Sequence, residues 1–492
     1  MSRFFRCEAR RQVGVEKRSI LKSYVAGITD DIAGERYTTI VGYFLPELVT
    51  AFLVGSVLGI IDAGFVAHLK STTLYTTQGI TASFIHFLSK LAEGVSVGTV
   101  VLCGQYNGLR RFEDVGRAAV SAFWVTFCMG GMISLFLYFG GHLIYDFCQV
   151  PEKIARAGIP FLQIRALGVF LTFLYFAVIG FLRGVKNTRL PMVFFVLGGL
   201  VFTFFDYALI FGHFGFPEMG LCGSAVASVL QYAVMLCAAV AYVLLNGTMR
   251  QYSLRVFKSL DRGAVKDIIR LSWPVMVDKA ILAMAKLWIV RLIAPLGKVA
   301  LASFAVVRDM EQFAFVPAIA FAQVITFLVS NDYGIKNWLG IKTNIKKVLF
   351  LAGAMVSAVL LVFSIWPEYV IHLFDPKNKF LWFAATVFPM ISILVLFDLT
   401  QVILSGALRG ASNVRVVMFT RLLVCGLVFI PLSYFFSILP IENALIKFVL
   451  IYGSFYLADG VMSIVYVFWF RRDRWKYDPD ISYSRINDGT HN

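Results

Sequence analysis

The sequence predicts an all-α polytopic membrane protein of twelve transmembrane helices, arranged as two parallel six-helix repeats. Three observations carry that prediction. Only 15% of the 492 residues are charged and 59% are hydrophobic, where a soluble domain carries about a quarter charged residues. Apolar runs long enough for a bilayer, which needs about 20 residues per helix, follow one another along the chain. One stretch also occurs twice. Leu182-Arg183-Gly184-Val185-Lys186-Asn187-Thr188-Arg189-Leu190-Pro191-Met192 returns as Leu408-Arg409-Gly410-Ala411-Ser412-Asn413-Val414-Arg415-Val416-Val417-Met418, displaced by 226 positions (408 − 182, 415 − 189). A repeat of that period makes the chain two copies of one multi-helix unit.

Residues 1–37 form a basic arm with no apolar core behind the charges, so they are not read as a cleavable signal peptide. The first lobe occupies 38–245, with apolar runs at about 41–66, 78–104, 119–147, 159–181, 191–213 and 220–245. The polar stretch 246–269 links it to a second lobe, 270–470, with runs at about 270–295, 300–329, 347–372, 382–407, 415–437 and 446–470. Residues 471–492 are a second basic tail. Hydrocarbon offers backbone groups no partners, so these runs are helices; strands of a barrel would alternate over about 10 residues. Gly108 and Gly334 share the 226-residue offset, and Pro46 and Pro274 lie 228 apart (274 − 46). The two prolines are candidate hinges of the first and seventh helices.

Lys and Arg mark alternate connectors. Arg110, Arg111 and Arg117, then Arg183, Lys186 and Arg189, then Arg250 to Lys266, then Lys336 to Lys347, then Arg409 and Arg415 lie on one side. The intervening loops carry few. Positive connectors stay in the cytosol, so both termini are expected there, in a multi-pass protein of the cell membrane. The same pattern accounts for the formal charge of +16 without nucleic acid. The seven cysteines and six histidines are scattered, which suits small helix residues better than a disulfide framework or a metal site.

With the repeat on the page, four motifs resemble one known family. They are the paired Leu-Arg-Gly connectors, Gly104-Gln105-Tyr106-Asn107-Gly108, Asp206-Tyr207-Ala208-Leu209-Ile210-Phe211-Gly212, and Gly220-Leu221-Cys222-Gly223-Ser224-Ala225. The chain resembles the multidrug and toxic compound extrusion (MATE) family, of the multidrug/oligosaccharidyl-lipid/polysaccharide flippase superfamily, over about 38–470. The resemblance implies a V-shaped pair of lobes and export of compounds driven by H⁺ or Na⁺ entry. It also implies a cation- or proton-responsive role for Asp62 and a C-lobe cation site at Asp398. Two positions depart from the family pattern: Phe202 stands where an Asn is expected before Asp206, and Leu282 where a Glu is expected in the seventh helix.

An ionisable group at bilayer depth costs about 2.5–3.5 kcal/mol on insertion scales, so each calls for a reason. Snorkelling near a helix end or a register-fixing ion pair is the bland one. Asp206 lies deep in an otherwise apolar helix and stands alone there. A carboxyl that can shed its charge by taking a proton is a candidate proton carrier. Asp278, one turn before Leu282, is a displaced candidate, although Lys279 beside it could neutralise it. Lys279 and Lys286 sit two turns apart on one face. With Tyr207 and Gln401 they are candidate cavity residues, and if they face the cavity they suit an anionic or zwitterionic substrate. Lys90 and Glu93 are spaced to pair.

The chain has no Gly-x-x-x-x-Gly-Lys-Ser/Thr, His-Glu-x-x-His or Gly-x-Ser-x-Gly, so neither ATP hydrolysis nor those hydrolytic chemistries has its motif. The expectation is a non-enzymatic, cofactor-free, monomeric antiporter for amphipathic small molecules among membrane lipids. A flippase for a lipid-linked or anionic precursor is the near alternative, and a membrane-embedded transferase the distant one.

Overall fold

The computed structural model describes residues 34–53, 57–69, 71–147, 150–254, 261–372 and 380–476. Most of the basic arm and tail, part of the linker (Arg255 and Lys258 included), and Lys70, Cys148, Lys377 and Lys379 lie outside them. Among the described residues there is no strand.

The helices are α1 (Tyr37–Phe52), α2 (Leu58–Ala67), α3 (Thr72–Gly108), α4 (Phe112–Phe147), α5 (Glu152–Gly184), α6 (Arg189–Phe211) and α7 (Leu221–Leu245) in the first half. The second half holds α8 (Arg262–Ile293), α9 (Lys298–Gly334), α10 (Trp338–Ile365), α11 (Leu381–Gly410), α12 (Val414–Val424), α13 (Ile430–Ile438) and α14 (Ala444–Arg471). Among the described residues ten helices are long and apolar enough to cross a membrane, with α12 and α13 counted as one through the wider turn Cys425–Phe429. Two more complete the twelve. The first is α1 followed by α2, and the second is α8, whose Asp278, Lys279, Lys286 and Arg291 take it out of the purely apolar class. The helices outrun the apolar runs: α3 has 37 residues, about 55 Å at 1.5 Å per residue, against a hydrocarbon core of about 30 Å.

The 226-residue repeat reaches down to individual contacts. Gly180 and Gly184 are spaced as Gly-x-x-x-Gly on α5, and Gly406 and Gly410 repeat that on α11. A Cβ added at Gly180 would lie 2.8 Å from the Ser96 carbonyl oxygen, and at Gly184 3.1 Å from that of Val100. A Cβ at Gly406 would lie 2.8 Å from the Ala322 oxygen, and at Gly410 2.5 Å from that of Thr326. All four contacts map onto each other by adding 226. Small residues at this spacing let helix backbones touch, so α5 lies on α3 as α11 lies on α9.

The connectors repeat too. Arg110, Lys186, Lys336 and Ser412 have φ of 58°, 61°, 57° and 64°, left-handed positions that non-glycine residues seldom take. Each follows a helix end closed by the same pair of bonds, as in Lys186 N–H to Arg183 O at 2.9 Å and Asn187 N–H to Leu182 O at 2.9 Å. This is the Schellman closure, usually built on glycine. Here the motif glycines serve helix contact instead, and Lys186 and Ser412 make the turn.

The two halves meet most closely at these basic ends. Gln105 donates to Ser412 Oγ at 2.6 Å, Asn107 to Asn331 Oδ1 at 2.8 Å, and Asn331 to the Gly184 carbonyl at 2.9 Å. Gln105 and Asn331 are themselves 226 apart, so each half reaches into the connector of the other. Higher up, Phe44 stacks on Phe321 with centroids 4.0 Å apart, and Phe52 meets Phe313 at 5.2 Å. A staple lies outside the seam. The Glu35 backbone N–H donates to Asn344 Oδ1 at 2.8 Å, Lys347 donates to the Glu35 carbonyl at 3.0 Å, and the Glu35 carboxylate pairs with Lys186 at 2.8 Å. Burial opposes the charge on Lys186, but the Glu35 carboxylate outweighs it and raises the lysine pKa.

Candidate functional site

The acidic residues fall into three groups. In the first half, Asp62 of α2 and Asp206 of α6 come together against α7. Asp206 is 0% exposed and Asp62 8%. Ser224 donates to Asp62 Oδ1 at 2.6 Å. Asp206 is within electrostatic reach of both Asp62 and Arg165, with Ser224 beside it. Arg165 of α5 donates to Ser228, one turn past Ser224. Asp206 is therefore not alone, as the sequence suggested, but half of a buried carboxyl pair with a guanidinium nearby. Such a pair sheds like-charge repulsion when one member takes a proton or both face a cation.

The second group is structural. Arg183, the arginine of the first connector, grips Glu47 of α1 with two bonds of 2.8 and 2.7 Å, both side chains buried. Arg409, its counterpart at +226, donates to Asp278 Oδ2 at 2.7 Å, and Arg421 of α12 donates to Asp278 Oδ1 at 2.5 Å. Each connector arginine thus clamps a carboxylate on the first span of its own half, just past the helix proline. Glu47 is one residue after Pro46, and Asp278 one turn after Pro274. Asp278 is accordingly corrected from a cation candidate to an ion-pair partner, because both its oxygens are occupied by guanidinium groups.

The third group lies between the halves. Glu93 of α3 takes Lys90 at 3.0 Å, Lys279 of α8 at 3.7 Å, and a hydrogen bond from Gln323 of α9 at 3.2 Å. Lys279 therefore answers Glu93 across the interface rather than its neighbour Asp278. Deeper in the second half, Tyr452 and Tyr456 of α14 both donate to Glu311 Oε2. Asp398 and Asp459 lie within electrostatic reach of each other. Among the described residues no three His, Cys, Asp or Glu side chains are grouped closely enough to hold a metal ion.

Two segments match the family model MatE, residues 48–208 and 274–435. They begin 226 residues apart (274 − 48), the period of the repeat. The chain belongs to the MATE family. A probable multidrug resistance protein NorM of Bacillus cereus is 24% identical over 367 residues, covering 69% of this chain and 75% of that protein. The NorM of Bacillus anthracis matches equally, over 69% and 76%. Among solved structures, a MATE in the bent conformation superposes with TM-score 0.81 at 18% identity, covering 95% of this chain and 99% of that one. A Pyrococcus furiosus transporter of the MOP superfamily, described as having a binding pocket of reversed polarity, gives 0.81 at 18% identity over 89% and 96%.

Within this MATE fold the remaining sequence candidates are distributed unevenly. Tyr207 is 38% exposed and packs with Phe65, Phe211 and His213 at the end of α6 away from the connectors. Gln401 is 0% exposed. This cavity candidate is buried within the packing of α11. Pro46 and Pro274 lie inside α1 and α8 as expected. Sequence reasoning missed Glu47, Arg165, Arg421 and Asp459. All four interrupt apolar runs, which is a visible signal. Their pairings are not visible, since the partners come from other helices.

Proposed function

We propose that this MATE protein is a secondary antiporter that exports amphipathic small molecules by alternating access, driven by proton entry. The supporting observation is the buried Asp62–Asp206 pair, enclosed by Ser224 and Arg165 within the first half. Both termini are placed in the cytosol, as the basic connectors require, and the basic-end seam then closes the cytosolic side. In the outward-open protein a proton from outside neutralises Asp206, repacks α2 against α6 and α7, and releases substrate. After reversal the proton leaves to the cytosol, and the charged pair again favours the substrate-accepting state. One charge falling through 100 mV supplies about 2.3 kcal/mol, enough to drive a population shift of the size allosteric couplings have, about 1–3 kcal/mol. The protein works as a monomer among lipids.

Asp206→Asn keeps the size of the side chain and removes its titration. It is expected to abolish gradient-driven dye export from proteoliposomes while leaving the melting temperature of the purified protein near that of the parent. Full coupled transport in this variant would refute the assignment. Parallel runs with H⁺ and Na⁺ gradients imposed separately identify the coupling ion, and transport on Na⁺ alone would overturn the proton assignment.

A further inference from the structure

The inner faces of α3 and α8, which we take as walls of the cleft between the halves, carry ammonium groups that the coupling carboxylates do not use. Lys90 of α3 comes from the first half, and Lys279 and Lys286 of α8 from the second. At about 100° per residue, Lys279 and Lys286 share one face of α8, about 130° round from the exposed apolar stripe of Ile269, Trp273, Val277, Met284 and Leu287. That stripe is the face for lipid, so the lysines point the other way. Cross-half contact confirms the direction: Lys279 reaches Glu93 at 3.7 Å, and Lys286 lies within electrostatic reach of Lys90.

The most accessible charges in the cleft, Lys90 and Lys286, are positive, with the half-buried Asp398 as the carboxylate that faces them. Glu93 is already engaged by Lys90, Lys279 and Gln323. The Lys90 side chain keeps 40% of its surface exposed. Lys286 is exposed as well and makes no ion pair with a described residue, while Asp398 faces it from α11 without reaching ion-pair distance. A cationic ligand entering between Lys90 and Lys286 would meet like charge, and like charge at close range costs several kcal/mol of selectivity. An anionic group would complete the coordination of both.

We propose that this cleft binds amphiphiles with an anionic head, a phosphate or carboxylate held between Lys90 and Lys286, with Lys279 kept in place by Glu93. The proposal rests on the export reading for its transport consequence but not for binding. It deepens that reading by naming the charge of the substrate.

Two xanthene dyes of opposite charge test it, fluorescein as the anion and rhodamine 123 as the cation. Binding to the full chain in detergent is followed by fluorescence anisotropy. Fluorescein is expected to bind about tenfold more tightly, the worth of one hydrogen bond to a charged group. The Lys90→Gln/Lys286→Gln double variant is expected to lose that preference, and Lys286→Arg to keep it. Because Lys286 holds no described ion pair, its substitution leaves the fold intact, which the melting temperature checks. Equal or tighter binding of rhodamine 123, or a preference for fluorescein undiminished in the double variant, would overturn the proposal. Gradient-driven movement of the same dyes in proteoliposomes separates the two ideas. Export of rhodamine 123 with fluorescein ignored sinks the anionic site and keeps the exporter. Fluorescein binding with neither dye moved by any gradient keeps the site and sinks the exporter.

Discussion

Gly108→Ala is expected to wedge the two halves apart at their basic ends. A Cβ on Gly108 would sit 3.0 Å from the carbonyl carbon and 3.2 Å from the Cα of Asn331, and nearer still to its oxygen. Ordinary contact between carbons is about 3.5–4.0 Å and the oxygen is closer still, so the seam must open by about 1 Å. Backbone, unlike a side-chain tip, has no rotamer with which to give way. Overpacking of this kind costs about 1–3 kcal/mol, which corresponds to a shift of about 5–150-fold between the seam-closed state and its alternative. Gly334→Ala should act alike, since its Cβ would lie 3.1 Å from the Gln105 carbonyl carbon. The assay is maleimide labelling of Ser412→Cys, a position buried in the seam, with reagent applied from the side of the basic connectors. Labelling should accelerate at least severalfold in either alanine background. Gly180→Ala is the control: its Cβ meets Ser96 and Thr99 within the same half, so it should lower the melting temperature without speeding labelling. Unchanged labelling in both seam variants would refute the reasoning that these glycines set the closed state.

Glu47→Gln strands the Arg183 guanidinium in a buried site; removing one partner of such a pair costs about 3–5 kcal/mol. Its melting temperature should fall by several degrees, and the Glu47→Leu/Arg183→Leu pair should recover most of the loss. Glu35→Gln keeps the backbone bonds to Asn344 and Lys347 but weakens the tie to Lys186, so Ser412→Cys should label modestly faster. The sign of its pH dependence follows from Lys186, whose pKa is raised in the fold above the ordinary 10.5. On the lysine side the tie is therefore complete throughout the neutral range and is lost in strong alkali, so the labelling rate of the parent should not vary with pH near neutrality.

The architecture was legible because hydrocarbon leaves a chain few options. Apolar runs must be helices, basic loops alternate, and a duplicated connector is visible as letters. The helix caps were only half legible. Gly184 and Gly410 fall in the duplicated connectors, but the left-handed positions belong to Lys186 and Ser412, and the glycines are needed where α5 and α11 touch their neighbours. Charge partners were the least legible. Lys279 stands next to Asp278 in sequence, but successive helical residues point about 100° apart, and each found its partner on another helix. Arg165 interrupts the fourth run plainly, but only the packing of α5 on α7 brings it to Ser228 and within reach of Asp206.

The seam between the halves joins Gln105 to Ser412, Asn107 to Asn331 and Asn331 to Gly184, all uncharged groups. Such bonds are little screened by salt, and each nets only about 1 kcal/mol. A latch made this way grips equally in dilute and concentrated salt. It is also weak enough that a single ion's descent through the membrane field can undo most of it on every turnover.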